Sequence, residues 1–288
     1  MSVAVTTDYI AARRAALPAF PIAVTVNVDI EWSDIRSAGS AGLFGKFSYG
    51  RYGLREGFWR ILEVLKVAGV PATFFVAPDD MDRHPSIVDD ILRAGHEIAA
   101  LGRVLEKPEQ TGDGDLSSIE AAQGVFRRFT GSDCAGWRTA NGLMTQAALG
   151  ALPKHGYLYD STFENDDLPY VFAEPGGDRL VELPVFNYLT DATFYGAAHG
   201  PERVRKAWKE EADALYECRG YVNLTLNQHG DYGSARGVRA AVVAQFLDAI
   251  GRKPGAKFLR CREIADLLCN ADVPSEPFPR DVPVPMSV

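Results

Sequence analysis

The chain has 288 residues, of which 47% are hydrophobic and 24% are charged, and its formal net charge is -8. This composition is typical of a globular protein with one large or two small domains. An acidic balance without a basic cluster argues against nucleic acid and anionic membranes as partners, and no window resembles a membrane span. Because Arg13 and Arg14 interrupt the first twenty residues, no signal peptide is indicated, and a cytoplasmic protein is expected.

The first elements are a helical arm and an alternating strand. Residues 7 to 18 predict the helix, and residues 22 to 32, IAVTVNVDIEW, predict the strand, because apolar and polar side chains alternate strictly. The polar face of that strand carries Thr25, Asn27, Asp29 and Glu31. A glycine-rich loop over 37 to 53 follows.

Helices and strands then alternate along the chain. The predicted helices are 55–69, the stretch after Pro85, 115–131, 144–156 with a break near Pro153, 201–220, 236–251 and 262–268. The predicted strands are 71–78, 96–101, 135–139, 157–162, 179–186, 221–231 and 257–261. About eight strands alternating with helices predict an α/β fold in which a parallel sheet closes into a single-domain distorted (β/α) barrel over 21–269. Residues 1–20 would form an N-terminal arm and 270–288 a proline-rich extended tail.

Barrels of this kind carry their sites at the carboxyl ends of the strands. The polar residues predicted there are Asp29, Glu31, Arg138, Asp160, Asn227 and His229. Asp29 and Glu31 are two apart on one strand, so both point to the same face. Two carboxylates in one pocket favour a shared proton and a usable general base. The competing interpretation is a solvated strand end.

Arg138 and His229 each allow two interpretations. The Arg138 guanidinium could orient Asp29 or Asp160, hold a substrate, or form a purely structural ion pair. His229 could protonate a leaving group or polarise a carbonyl, or it could be an ordinary loop histidine. The five histidines of the chain include no pair four residues apart, so a site with several histidines on one metal is not indicated.

Further residues are candidate pocket walls. Trp32 and Trp137 lie near predicted strand ends and could line a site or simply fill the core. Tyr49 and Arg51 belong to a glycine-containing loop that could reach over the site, and Asn141 follows Arg138 closely.

Six ordered segments resemble the polysaccharide deacetylase superfamily over roughly residues 20 to 268. They are VTVNVDIEW, YGRYGLREGFWRILEVLKVAGVPATFFV, HPSIVDDILRAGHEIAALG, GWRTANG, GYLYDST and LNQHGDYGSARGVR. The YGRYGLREG stretch is similar to the branch with peptidoglycan-deacetylase-like proteins, metal-independent allantoinases and cyclic imide hydrolases. The resemblance implies a distorted βα-barrel of the polysaccharide deacetylase type.

Deacetylases of this superfamily bind a divalent metal through an aspartate and two histidines four apart. By this resemblance the aspartate position is Glu31, with Asp29 as the preceding carboxylate, and the histidine positions hold Leu101 and Leu105. The family's arginine corresponds to Arg138 and its late catalytic histidine to His229. Leucine cannot bind a metal, so no metal and no other cofactor are expected, and the two leucines would form an apolar wall.

These residues lead to a hypothesis of a metal-independent amidohydrolase that opens a small cyclic amide, ureide or imide. Glu31 or Asp29 would activate water, His229 would protonate the departing nitrogen or hold the oxyanion, and Arg138 would orient a carboxylate or a carbonyl. Loop N–H groups near Asn141 would complete the oxyanion site. Two alternatives remain: a non-catalytic binding protein, and a metal-dependent deacetylase with rearranged ligands. A homo-oligomer is expected by analogy alone.

Overall fold

The computed structural model describes residues 7–30, 49–102, 114–140, 142–173, 177–271 and 273–279. Its strands are β1 Phe20–Val28, β2 Thr73–Val76, β3 Glu97–Gly102, β4 Gly136–Thr139, β5 Tyr159–Asp160, β6 Tyr170–Ala173, β7 Arg179–Glu182, β8 Val222–Asn227 and β9 Ala256–Leu259. Its α-helices are α1 Thr7–Ala16, α2 Tyr49–Tyr52, α3 Phe58–Ala68, α4 Pro78–Arg83, α5 Ser86–Arg93, α6 Gly114–Thr130, α7 Gln146–Ala151, α8 Asp191–Tyr195, α9 Pro201–Glu217, α10 Gly237–Gly251 and α11 Cys261–Asn270.

The strands form one sheet in the order β6-β7-β5-β4-β3-β2-β1-β8, and β9 also pairs with β1. Every pairing is parallel except that of β6 with β7. Because parallel strands require crossover connections, the helices between them cover the outside of the sheet. The predicted α/β fold built on a parallel sheet is therefore confirmed.

The sheet curls until β7 and β8 approach each other, and side chains span the remaining gap. Asn223 on β8 donates to the Pro184 carbonyl at 3.1 Å, and the Tyr221 hydroxyl donates to the same carbonyl. An isolated parallel bridge between Thr190 and Thr225 adds a further link. These contacts enclose an interior that the described strands line with their inward-facing side chains.

Several described elements differ from the sequence-based prediction. β6 is an antiparallel strand that the sequence pattern missed, because its apolar run YVFA is only four residues long. Helix α4 lies where only a loop was expected, and the segment Gly53–Gly57 is a π-helix within the predicted loop-to-helix transition. The break near Pro153 is confirmed, since α7 ends at Ala151 and a 3₁₀ turn follows.

The two ends of the described chain meet on β6. Glu276 forms a parallel bridge with Phe172, and the Phe278 ring stacks on the Phe172 ring at 5.3 Å between centroids. From α1, the Tyr9 hydroxyl donates to the Glu276 carboxylate at 2.7 Å. The carboxyl-terminal segment thus covers the free edge of the sheet. Among the described helices, none combines the length and apolarity that crossing a membrane requires.

Candidate active site

The inward face of the sheet carries a buried polar layer centred on Arg138. Its Nη1 donates to Thr25 Oγ1 and to Asn27 Oδ1, both at 3.0 Å. Its Nε donates to the Ser161 carbonyl at 2.9 Å and its Nη2 to Ser161 Oγ at 2.8 Å. The guanidinium carbon lies 4.0 Å from the centroid of the Phe75 ring. Strands β1, β4 and β5 are therefore tied together through one side chain.

These hydrogen bonds limit which of the predicted roles Arg138 can have. Only 3% of the residue is exposed, and each hydrogen-bond acceptor that the described structure gives it is neutral. Burial lowers the pKa of the guanidinium. A direct hydrogen bond to Asp29 or Asp160, which the sequence suggested, is not what the structure shows for these described residues. Arg138 instead organises the floor beneath the strand ends.

Asp160 lies on the other face of the sheet from Arg138. It pairs in register with Trp137, and neighbouring residues along a strand point to opposite faces, so Asp160 shares the outward face. It is fully buried, accepts from Thr162 Oγ1 at 2.8 Å, and is in register with the fully buried Glu182. Burial is the main cause that raises the pKa of Asp160 to about 6 and that of Glu182 well above its usual range. The structure does not bring Asp160 to the barrel mouth as a substrate contact.

Trp137 is likewise an outward-facing core residue. Its ring packs edge-on against Tyr157 at 5.6 Å between centroids, and 4% of the residue is exposed. A Cβ on Gly102 would lie 2.4 Å from the Trp137 ring, which shows how closely the ring fills the space beside β3. Trp137 therefore lies in the core on the outward face, away from the inward layer around Arg138. Leu101, by contrast, pairs in register with Arg138 and shares its inward face.

The carboxyl end of β1 opens to solvent on its inward face. Asn27 and Asp29 are partly exposed, whereas Val28 and Ile30 between and after them are buried. The alternation predicted for this strand therefore holds, and it directs Asp29 toward the mouth of the barrel. Glu31, Trp32, Leu105 and Asn141 were also predicted here, but they lie outside the described residues.

Asp80 on α4 lies beside this strand end and was not predicted. Its Oδ2 accepts from the Ile30 amide at 2.9 Å, and the residue has no exposed surface. Burial, followed by the nearby Asp29 charge, raises the pKa of Asp80 to about 7, although its hydrogen bond from Ile30 acts in the opposite direction. One sequence signal could have found it: Asp80 follows β2 by four residues, at the same edge of the sheet as Asp29.

His229 lies in a tightly closed loop after β8. Its Nδ1 accepts from the Asp231 amide at 3.2 Å, and its ring stacks on Tyr232 with centroids 4.0 Å apart. Because Nδ1 is an acceptor, a neutral His229 carries its proton on Nε2. The residue is 2% exposed, so its orientation is fixed by packing as well as by hydrogen bonding.

Asp191 at the start of α8 closes the same loop. Its Oδ2 accepts from the Asn227 amide at 2.9 Å and from the Ser234 amide at 2.7 Å, while its Oδ1 accepts from the Asn227 side chain at 2.7 Å. Desolvation raises the pKa of this fully buried carboxyl to about 6, against the effect of these hydrogen bonds. Sequence reasoning missed Asp191, because α8 has only five residues and no periodic pattern.

The YGRYGLREG segment packs directly on the histidine loop. A Cβ on Gly57 would lie 2.2 Å from the Gln228 carbonyl oxygen, and one on Gly230 would lie 2.8 Å from the Tyr52 ring. The glycines are thus where close approach requires them, as the sequence indicated. Arg51 is exposed on α2, and the side chain of Tyr49 lies outside what the structure describes.

The metal expected of a deacetylase does not fit the residues described here. Leu101 presents a hydrocarbon side chain to the interior beside Arg138, where it offers no donor atom. Within the described part of the chain, no group of three or more His, Cys, Asp or Glu side chains could hold a metal ion. We therefore derive no chemical step through a metal.

Comparison with known proteins shows which proteins the chain is similar to. Residues 47–159 match the sequence model of the polysaccharide deacetylases. A peptidoglycan deacetylase of Helicobacter pylori is 24% identical over 285 residues, which cover 85% of this chain and 94% of the relative. The chain is thus similar to the polysaccharide deacetylases, and the match to their sequence model is confined to residues 47–159.

Solved structures of polysaccharide-deacetylase-like proteins share this barrel. A Mycobacterium smegmatis protein assigned to the polysaccharide deacetylases is 28% identical, with a TM-score of 0.83, and the match covers 93% of this chain and 95% of that one. PuuE allantoinase is 20% identical, with a TM-score of 0.74, and the match covers 90% and 93%. At that identity the allantoinase supports the fold alone.

Proposed function

We propose that this protein is a metal-independent hydrolase of a C–N bond in a small cyclic amide, ureide or imide. The observation that carries the proposal is the position of Leu101. It is buried on the inward face in register with Arg138, where the resemblance to the superfamily expects a metal-binding histidine. The arginine and the late histidine of the superfamily pattern are kept in the same chain.

Water would be activated by a carboxylate at the end of β1. The alternation of side chains along β1 directs Asp29 toward the mouth of the barrel. Glu31 is two positions further along the chain. Either can accept a proton from water as it attacks the carbonyl carbon. The polar layer around Arg138 would hold the strand end that carries Asp29.

In its neutral form, His229 suits the stabilisation of negative charge better than the delivery of a proton. Its Nδ1 is engaged by the Asp231 amide, so Nε2 carries the ring proton. A preorganised N–H donor of this kind stabilises the oxyanion that forms when water adds to a carbonyl. We therefore assign His229 the oxyanion role among the two that the sequence allowed.

The proposed substrate class rests on the leucine that stands where a metal-binding histidine is expected. A bound metal lowers the pKa of water from 15.7 to about 7, and a carboxylate acting on ordinary water has no equivalent assistance. A ring imide or ureide has a more electrophilic carbonyl, or a better nitrogen leaving group, than an acetamide. As water adds to the carbonyl, the carboxylate at the end of β1 takes a proton from it. The ring C–N bond then breaks and the nitrogen takes that proton back from the protonated carboxyl group. The product carboxylic acid ionises and releases a proton.

The test uses chelator-treated protein with a panel of hydantoin, dihydropyrimidine, allantoin and succinimide rings, and follows proton release with a pH indicator. We expect turnover without added metal, and we expect Glu31→Gln or Asp29→Asn to abolish it while the thermal unfolding temperature is kept. Glu164→Gln is the matched control, because Glu164 is exposed on a loop. Full activity in both site variants would eliminate the carboxylate mechanism.

A metal-dependent deacetylase is the second candidate. The similarity to the Helicobacter pylori peptidoglycan deacetylase over 85% of this chain favours it. The same assay separates the two functions when N-acetylated sugar oligomers are added to the panel. Activity that appears only after zinc is restored would establish the deacetylase and remove the metal-independent mechanism.

A further inference from the structure

We propose that Asp80 is a positioning residue that fixes the backbone immediately after Asp29 and thereby orients the carboxylate at the barrel mouth. The inference rests on the function proposed above. Asp80 belongs to neither the resemblance motifs nor the set of predicted site residues. It comes from α4, a helix that the sequence pattern did not predict.

The place where β1 leaves the sheet is the reason that Asp29 needs support. The Ala77 amide donates to the Val28 carbonyl at 3.3 Å, and β1 ends at Val28. The Ile30 amide then donates to Asp80 Oδ2 at 2.9 Å. Asp29 therefore lies between a sheet contact and a side-chain contact, and its backbone is held on both sides.

Among the described residues, the Ile30 amide is the hydrogen-bond donor that the Asp80 carboxyl group finds. The carboxyl is fully buried, and in the described structure its Oδ1 has no hydrogen-bond partner. A buried polar atom without a partner destabilises a fold. An apolar residue would avoid that cost, but it could not accept the Ile30 hydrogen bond. The retained acceptor therefore points to the control of the Asp29 segment.

Without the Ile30 hydrogen bond the backbone torsions of Asp29 are less constrained, and a change in its φ angle would move the Asp29 side chain relative to β1. Misplacement of a reacting group by about 1 Å can cost on the order of 100-fold in rate. Loss of the Asp80 acceptor should thus lower kcat more than it raises KM, because the substrate would still bind while the attacking water would be misdirected.

The experiment compares Asp80→Asn, Asp80→Ala and the control Asp82→Ala. Asn keeps an oxygen acceptor for the Ile30 amide, whereas Ala removes it. Asp82 is exposed on the same helix and contacts Arg128. We expect Asp80→Ala to lower kcat by about 10- to 100-fold with KM within roughly threefold. Asp80→Asn should restore most of the rate, and Asp82→Ala should equal the wild type.

Hydrogen exchange at the Ile30 amide provides a readout that needs no substrate. The amide should be protected in the wild type and in Asp80→Asn and should exchange faster in Asp80→Ala. Unprotected Ile30 in the wild type would overturn the proposal, even if Asp80→Ala failed to fold. Equal kcat losses in folded Asp80→Asn and Asp80→Ala would overturn it as well. A wild type that is inactive on the whole panel but protects Ile30 would refute the proposed function and leave the Asp80 contact supported.

Discussion

Substitution of Gly57 by Ala tests whether the π-helix is fitted to the histidine loop. The added Cβ would lie 2.2 Å from the Gln228 carbonyl oxygen and 2.8 Å from the Ala235 methyl carbon. Both distances are far below van der Waals contact, so either the π-helix or the loop after β8 must shift. Overpacking of this kind costs about 1–3 kcal/mol.

Gly124→Ala is the matched control. Gly124 is exposed in the middle of α6, and a Cβ added there would meet nothing within 4 Å. Because Gly is about 0.5–1 kcal/mol worse than Ala inside a helix, this variant should be slightly stabilised. The two glycine variants should therefore change stability in opposite directions.

Thermal unfolding followed by circular dichroism measures both effects. A change of 1 kcal/mol shifts the unfolding temperature of a chain of this size by about 2–4 °C, so Gly57→Ala should unfold several degrees below the wild type. Its turnover should also fall, since Gln228 immediately precedes His229. An unfolding temperature for Gly57→Ala equal to that of Gly124→Ala would refute the close packing described here.

Three further outcomes are expected. Arg138→Met should lower the free energy of unfolding by roughly 2–4 kcal/mol in denaturant titration, because Thr25, Asn27 and Ser161 lose their buried donor; an unchanged midpoint would contradict this. Asp191→Ala should destabilise the protein and speed exchange of the Ser234 amide, which loses its acceptor, whereas unaltered exchange would show that the loop closes by itself. Asp80 has a pKa of about 7 in the fold, well above its value in the unfolded chain. Between about pH 4 and about pH 7 the folded state therefore holds a proton that the unfolded state has lost, so the free energy of unfolding falls as pH rises through this range. Asp80→Asn should remove this dependence, so its unfolding temperature should gain on that of the wild type between about pH 5 and about pH 8; a constant difference would contradict the shift.

The barrel could be predicted because its signals are local. The strict alternation on β1 identified both the strand and the face that carries Asn27 and Asp29, and the structure confirms that face by its exposure pattern. β6 was missed because it is short and pairs antiparallel. Periodicity reports the element type along the chain, but it does not report which distant strand an edge segment will join.

The candidate site was harder to predict because it depends on packing between distant segments. Arg138 and Asp160 are both predicted at strand ends, yet the strand register places their side chains on opposite faces of the sheet. Asp80 and Asp191 act through hydrogen bonds to backbone amides in other elements. The spacing of residues in a single sequence does not predict such a contact, because every residue type except proline carries a backbone N–H donor.

The contact between α1 and the carboxyl-terminal segment also sets an order of events during synthesis. Tyr9 and Glu276 are separated by 267 positions, so their hydrogen bond can form only after the ribosome has made nearly all of the described chain. Until then β6 keeps an uncovered edge, and an open strand edge is a template for pairing with another nascent chain. Synthesis of the segment around Glu276 therefore ends the period in which this edge is open to such pairing.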